Sequence, residues 1–514
     1  MWDRIIEPGR NCFGNSAVEE SGVYVDGAEY YSAFYRAALK ARRYIIISGW
    51  QFDSEVSLIR GPEAMRARRD VTLLKFLDSL CRRNPELRVY ILAWDFSLIF
   101  LHEREWMQEV VFNWSTSERL LFRFDGKHAI GASQHQKYTV IDGAIAFLGG
   151  MDFAAGRWDD RRHLARNPDR TNPDGKSYAP YHDMQAYFTG PLVSDLSRMF
   201  EERWRLSAGN EIRLPGPLEG DYLPTGIGTP IRARSASLSR TQGKTFFRPD
   251  GPVKEIRALF LDAIKAARKL VYIESQYFSS HAIYRALTER MEDGSAPKLD
   301  IVIILPMKPH ALVEELSVGL LQTRILSLLR QTAKRQGHSL GIYYSAAPGE
   351  GGEEVPVYIH SKIMIVDDRF LTVGSANATN RSMGLDSELN ISWEACSLRD
   401  LSLIRSIREF RAGLLAEYIG TDSGIDMRRL RRPPGLVEYL DYLAETRLYR
   451  LQRHNISGYL AGNEILKALD ELLMDPEKAF IEENVFEIFS PDVASAFSEG
   501  MTLFKKYLFR KRAG

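Results

Sequence analysis

Two stretches of the chain repeat one order of hydrophobic and polar positions. In DGAEYYSAFYRAALKARR the residues Tyr31, Phe34, Tyr35, Ala38 and Leu39 recur at helical spacing, and the apolar run YIIISGW that follows predicts a buried strand. KARRYIIISGWQF (Lys40 to Phe52) is matched further on by KAARKLVYIESQYF (Lys265 to Phe278). RVYILAW (Arg88 to Trp94) corresponds to DIVIILP (Asp300 to Pro306), and LLFRF (Leu120 to Phe124) to LGIYY (Leu340 to Tyr344). Finally, HQKYTVID (His135 to Asp142) and IHSKIMIVD (His360 to Asp367 within it) both read His-x-Lys-x4-Asp. Four matches in the same order mark an internal duplication. Helix, buried strand and further alternation predict an α/β fold of two tandem lobes, each a mixed central sheet flanked by helices.

The repeat sets the expected boundaries. A first lobe covers 1–213 and a second covers 253–419, and the Pro-, Gly-, Ser- and Thr-rich stretch 214–252 joins them. Residues 420–514 leave the repeat and read as a helical C-terminal extension with a basic, aromatic end, FKKYLFRKRAG. A length of 514 residues agrees, being too great for one ordinary core. Hydrophobic content of 45% and charged content of 26% describe a globular chain. A net charge of +1 argues against a non-specific nucleic-acid binder, so no nucleic-acid partner is expected. Three cysteines without CxxC spacing favour a reducing compartment over a disulfide framework. The start MWDRIIEPGRN lacks an apolar signal core, and no apolar run reaches the roughly 18 residues that span a bilayer. A cytoplasmic protein, in contact with membranes only peripherally, is expected.

The duplicated motif carries the chemistry. On a strand, residues i and i+2 share a face, so His135 and Lys137 project together, as do His360 and Lys362. Asp142-Gly143 and Asp367-Asp368 supply turns, and GAIAFLGG and RFLTVGS return as strands. A two-residue turn pairs Val366 with Arg369 and sets Ser375 opposite His360, with Asn377 extending from the same face. His135 then opposes Gly150, and Asp152 takes the place of Asn377. A phosphodiester site needs a nucleophile, an acid for the leaving oxygen, and cations with amide or hydroxyl donors around the phosphoryl oxygens. The two hairpins offer much of that set and call for no metal or other cofactor. A histidine nucleophile also needs its remote ring nitrogen oriented, usually by a carboxylate. Asp183 in PYHDMQAY is the candidate for His135, and Glu388 in GLDSEL for His360.

With its doubled motif the chain resembles the phospholipase D superfamily, whose signature is HxKx4Dx6GSxN. The second copy fits in full through His360, Lys362, Asp367, Gly374, Ser375 and Asn377. The first fits through His135, Lys137, Asp142 and Gly149 but carries Gly150 and Asp152 at the Ser and Asn positions. SGWQFD, LAWD, GRWDD, YHDMQ, FEERW and ESQYF extend the likeness over roughly the first 420 residues, toward the lipid-acting phospholipase D and transphosphatidylase branch. The resemblance implies that His135 attacks phosphorus to form a phosphohistidine, and that His360 protonates the leaving alcohol and then activates water or an acceptor alcohol. It further implies that Lys137, Lys362 and Asn377 hold phosphoryl oxygens, that Asp183 and Glu388 orient His135 and His360 respectively, and that Asp142 and Asp367 are structural. Ser375, Asp152 and Gln276 complete the expected phosphate contacts.

The expected substrate is therefore a glycerophospholipid, with water or an alcohol as acceptor and a monomeric chain. A cardiolipin synthase-type phosphatidyltransferase and an inactive lipid-binding scaffold are the alternatives. Trp158 and Asp159 read as loop packing. The segment Ser97 to Trp114 reads as a core-facing amphipathic helix ahead of lipid insertion, and the tail from Phe504 to Arg512 as either a solvated end or an anionic-lipid contact.

Overall fold

A computed structural model describes residues 3–95, 111–113, 115–129, 131–245, 251–308, 312–421, 423–456, 475 and 477. Its strands are β1 (Gly14–Ala17), β2 (Ser21–Val25), β3 (Tyr44–Gly49), β4 (Arg88–Trp94), β5 (Leu120–Asp125), β6 (Tyr138–Ile141), β7 (Ile145–Gly149), β8 (Tyr181–His182), β9 (Met184–Thr189), β10 (Thr229–Pro230) and β11 (Ser235–Gln242). There follow β12 (Val253–Lys254), β13 (Leu270–Glu274), β14 (Asp300–Ile304), β15 (Ser339–Pro348), β16 (Glu354–Pro356), β17 (Tyr358–Ile359), β18 (Ile363–Val366), β19 (Phe370–Gly374), β20 (Glu388–Glu394) and β21 (Leu451–Arg453).

The duplication is visible in the strand orders. One sheet runs β10-β2-β9-β7-β6-β3-β4-β5, and the other contains β11-β20-β19-β18-β13-β14-β15. From β2 and β11 onward they correspond strand for strand. In both, three parallel strands (β3, β4, β5 or β13, β14, β15) meet the antiparallel hairpin that follows the His-x-Lys motif. Each sheet is apolar on both faces, which explains runs such as YIII and LVYI that do not alternate. One face of the first sheet packs on the helices Asp26–Ala38 and Leu73–Arg83, with Tyr30, Tyr31, Phe34 and Phe76 in that core. The second sheet is covered by Glu255–Lys265, His281–Glu292 and Leu312–Gln336. The two remaining faces share one continuous core, in which Tyr138, Leu148 and Ala186 join Val373, Leu389 and Ile391. The lobes are thus held together by apolar burial, and the strand ends that carry the motifs come to a common seam.

Three expectations need correction. The hairpin turns hold three residues rather than two: Ile141 pairs with Ile145 and Val366 with Phe370. The cause is the motif aspartate. Asp142 adopts φ 50° and Asp367 φ 55°, and their carboxylates accept the N–H groups of Arg42, Arg43 and Tyr44, and of Arg268, Lys269 and Leu270. One residue of register moves every side chain to the other face, so Ser375 does not stand opposite His360, nor Gly150 opposite His135. Second, the connection 214–252 is partly sheet: β10 joins β2, and β11 lies between β1 and β20 in the second sheet. Third, the extension after 420 is not wholly helical. Helices Gly424–Leu430 and Leu436–Thr446 are followed by β21, which adds to β15. The basic tail and nearly all of the Ser97–Trp114 segment lie outside the described residues. Among those described, no helix is long and apolar enough to cross a membrane.

Asp368, the second turn residue, anchors this extension. Its carboxylate accepts Arg411 Nε at 2.6 Å and Nη2 at 3.0 Å, with both side chains fully buried, and Arg411 Nη1 donates to the carbonyl of Leu430. Arg411→Met would leave the buried carboxylate with only the half-exposed Arg408, at 3.1 Å, as a cationic partner. The expected cost is about 3–5 kcal/mol, read as a lowered denaturant midpoint; an unchanged midpoint would show that other groups neutralise Asp368.

Candidate active site

His135 and His360 lie just ahead of β6 and β18, in segments that cross to the other lobe. Gln134 bridges Ser387 in parallel, and β17 pairs in parallel with β8, setting Ile359 beside His182. The residue before each histidine is therefore paired with the residue before the other lobe's carboxylate. The backbone closes the match: His135 N–H donates to the Ser387 carbonyl at 2.9 Å, and His360 N–H to that of His182 at 2.7 Å.

This crossing overturns the expected pairing of imidazole and carboxylate. His135 Nδ1 lies 2.9 Å from Glu388 Oε2, and His360 Nδ1 lies 2.5 Å from Asp183 Oδ2. Each lobe orients the other's histidine. Sequence distance suggested pairing within a lobe, but the inter-lobe bridges bring Glu388 to His135 and Asp183 to His360. Among the described residues, nothing engages Nε2 of either ring, so both remote nitrogens are left for chemistry.

The departures of the first motif have a steric reason. Ser375 Oγ donates to Glu388 Oε2 at 2.5 Å and Ser382 Oγ to Oε1 at 2.7 Å, so Ser375 braces the carboxylate and is not a phosphate contact. At the matching position a Cβ on Gly150 would come 2.3 Å from Asp183 Oδ1. Serine suits the longer glutamate, whereas glycine makes room for the shorter aspartate, which sits closer to the backbone. Gly150→Ala is expected to push Asp183 aside and lower kcat by about 10- to 100-fold, in line with about 1–3 kcal/mol for overpacking. Unaltered turnover would show that Asp183 has slack.

The cations are held by neighbours of opposite kind. Lys137 Nζ lies 3.3 Å from Asp152 Oδ2, and Asp152 Oδ1 accepts the N–H of Trp50. Asp152 therefore anchors a lysine instead of binding an anionic phosphate. Lys362 bonds the His360 carbonyl and, at 3.4 Å, Gln276 Oε1. Gln276 is fully engaged, since its Nε2 donates to the hydroxyls of Tyr277 and Tyr358. It positions Lys362. Of the expected phosphate contacts, only Asn377 keeps an unengaged carboxamide: its buried Oδ1 has no hydrogen-bond partner among the described residues.

Several neighbours escaped the sequence reading. Arg157 donates to the Tyr181 hydroxyl at 2.7 Å and lies 5.3 Å over that ring, and Tyr181 in turn packs against Tyr358 and His360. The signal was the arginine of GRWDD, one residue before the Trp158 that was assigned to packing. Trp158 and Asp159 do pack: Arg60 lies 4.8 Å over the indole, and Asp159 accepts from Arg170.

The electrostatics describe one shared pocket. Burial first, then the charges of Lys362, Arg157, Lys137 and His135, hold the His360 imidazole well below its ordinary range. Burial likewise pushes Lys362 down to about 7, opposed by Asp183, while Asp183 itself is pushed up to about 7. Groups from both motifs thus act on one another. Two imidazoles whose Nε2 atoms are unengaged among the described residues, two buried lysines and Arg157 make a site suited to an anion.

Known proteins resemble this chain in sequence and in fold. A family model described as phospholipase D matches residues 37–218, and one described as cardiolipin synthase, PLD-like domain, matches 260–401. Phospholipase D alpha 1 of Ricinus communis is 24% identical over 526 residues, covering 78% of this chain and 65% of its own. Phospholipase D A of Dictyostelium discoideum is 27% identical over 437 residues, or 71% of this chain and 32% of its own. The chain therefore spans less than two thirds of the length of these relatives. In fold it is similar to phosphatidylserine synthase of Haemophilus influenzae, with a TM-score of 0.54 at 13% identity over 84% of this chain and 95% of that one.

Proposed function

The chain belongs to the phospholipase D superfamily, and on that premise we propose that it cleaves or exchanges the head group of a glycerophospholipid through a covalent phosphohistidine. The observation that carries this reading is the crossed pair His135–Glu388 and His360–Asp183, with both Nε2 atoms unengaged among the described residues. His135 Nε2 attacks phosphorus and the bond to the head-group oxygen breaks, while His360 gives that oxygen its Nε2 proton. His360 then takes a proton from water or an alcohol, whose oxygen attacks phosphorus as the P–N bond to His135 breaks. Glu388 and Asp183 hold the rings in the tautomer that leaves Nε2 available. Lys137, Lys362 and Asn377 meet the phosphoryl oxygens. A phosphodiester between the lysines also offsets the cations that depress His360, so that the acid is charged when substrate is bound.

Incubating the chain with mixed phospholipid vesicles and ethanol tests this directly. Head-group release together with a phosphatidylethanol species is the expected result. With phosphatidylglycerol as sole lipid, diphosphatidyl product and free glycerol would instead mark a cardiolipin synthase-type transfer. Vesicle binding without any cleaved phosphodiester would leave a scaffold.

The lysine gives a pH dependence. Below about 7 Lys362 carries its charge in the free protein; above it the amine is neutral and attracts phosphate less. Since kcat/KM reports groups of the free enzyme, it is expected to fall as pH rises past neutrality, by up to about tenfold per unit. Lys362→Arg, which keeps its charge, is expected to flatten that limb whatever its effect on rate. A wild-type profile level to about pH 9 would count against this role.

A further inference from the structure

Behind the site, and built from side chains that the reading above does not use, lies a buried cluster of Asp26, His163, His182 and Glu417, whose ligand-type atoms are all within 4.8 Å of one another. We propose that these four side chains bind one divalent transition-metal ion of the zinc class, as a structural staple between the lobes. His163 Nε2 lies 3.3 Å from Asp26 Oδ2 and 3.0 Å from Glu417 Oε1, and His182 Nδ1 lies 3.0 Å from both Asp26 Oδ1 and Glu417 Oε1. Bonds of about 2.0–2.1 Å in a tetrahedron separate neighbouring ligands by about 3.3 Å, so the short gaps match such edges, and an ion would draw in the wider separations, which reach 4.8 Å.

The second observation is a set of buried polar atoms without hydrogen bonds. His182 is fully buried, yet among the described residues neither of its ring nitrogens makes a hydrogen bond, and Asp26 Oδ2 has none either. Nδ1 stands close to two carboxylates at angles that suit donation to neither. A protonated His182 would bury two N–H groups without a hydrogen bond, whereas a neutral one coordinating through Nδ1 puts that lone pair to use and leaves only Nε2–H, which faces Glu274 Oε2 at 3.6 Å. The surroundings support the ligands. His163 Nδ1 is held by Asp159 at 3.0 Å, itself fixed by Arg170, and Glu417 Oε2 is held by Arg161 at 3.1 Å, which leaves Oε1 for the cluster. A carboxylate behind a histidine ligand is a recurring way to orient it. Two carboxylates balance a divalent charge away from water. Two imidazoles disfavour calcium and magnesium, which seek a shell of six or more oxygens.

The place of the cluster gives it a role. Asp26, His163 and His182 come from the first lobe, and Glu417 from the helix Leu401–Ile419 of the second. His182 precedes Asp183, its carbonyl accepts the His360 N–H, and Asp26 N–H donates to the Asp183 carbonyl at 2.8 Å. The ion would hold the strand that presents Asp183 to His360. Four protein ligands leave no open position, which marks a structural site.

The test uses the full chain, free of any polyhistidine tag, purified from zinc-supplemented cells and measured by elemental mass spectrometry. About one transition-metal ion per chain is expected, falling at least tenfold in Glu417→Gln. Because Glu417→Gln also removes the charge that Arg161 pairs with, chelator-treated wild-type chain is titrated with Co(II) in parallel. Visible ligand-field bands of tetrahedral intensity, saturating at one equivalent, and a rise in melting temperature with zinc but not calcium are expected. A folded wild-type chain with under a tenth of an equivalent of metal and no Co(II) bands would overturn the site and leave a buried ion-pair network. These readouts need no turnover, so they stand apart from the outcome of the lipid assays.

Discussion

Replacing His135 with alanine is expected to remove turnover, by about 10⁴-fold or more, and to abolish the first half-reaction specifically, as loss of a nucleophile does elsewhere. A phosphatidyl ester of p-nitrophenol separates the steps, because nitrophenolate leaves without a proton. His135→Ala should release none rapidly. His360→Ala should give one equivalent in a burst and then stall, since the phosphohistidine forms but no base activates water. The site is nearly symmetric: both imidazoles are held through Nδ1, both have a lysine two residues on, and both Nε2 atoms are unengaged among the described residues. Geometry alone therefore assigns neither role. A burst from His135→Ala and none from His360→Ala would reverse the assignment.

The crossed carboxylates make the second prediction. Glu388→Gln should behave like loss of His135 and Asp183→Asn like loss of His360, each slowing its own step by about 10³- to 10⁴-fold through loss of the correct tautomer and of charge stabilisation. In the same assay Glu388→Gln should suppress the burst, and Asp183→Asn should keep it and block the turnover that follows. Adding Glu388→Gln to His135→Ala should cost little more, because the two act as a unit. Pairing within each lobe, as sequence distance suggests, would give the opposite pattern.

Much of the architecture was legible in sequence for a local reason. Apolar runs such as YIII and LVYI, repeated in order with the His-x-Lys motifs, forced two similar sheets whatever their relative placement, and the strand orders match. The register was not legible. Whether Asp142 and Asp367 end a two- or a three-residue turn depends on backbone N–H groups far earlier in the chain, at Arg42 to Tyr44 and Arg268 to Leu270, that capture their carboxylates. Ser375 and Asp152 were misassigned for a related reason. They stand in the phosphate positions of the motif, but their partners, Glu388 and Lys137, claim them first. Gln276 likewise spends its amide on Lys362 and two tyrosines.

The sequence sufficed for the two similar sheets and for the pairing of each histidine with a lysine two residues on, because hydrophobic period and motif spacing are written along a single strand or hairpin. Tertiary structure alone decided which carboxylate serves which imidazole, how the lysines are held, and that Glu417 joins Asp26, His163 and His182. Those contacts form through space across the seam, where packed sheet faces bring together groups whose separation along the chain carries no information about their distance.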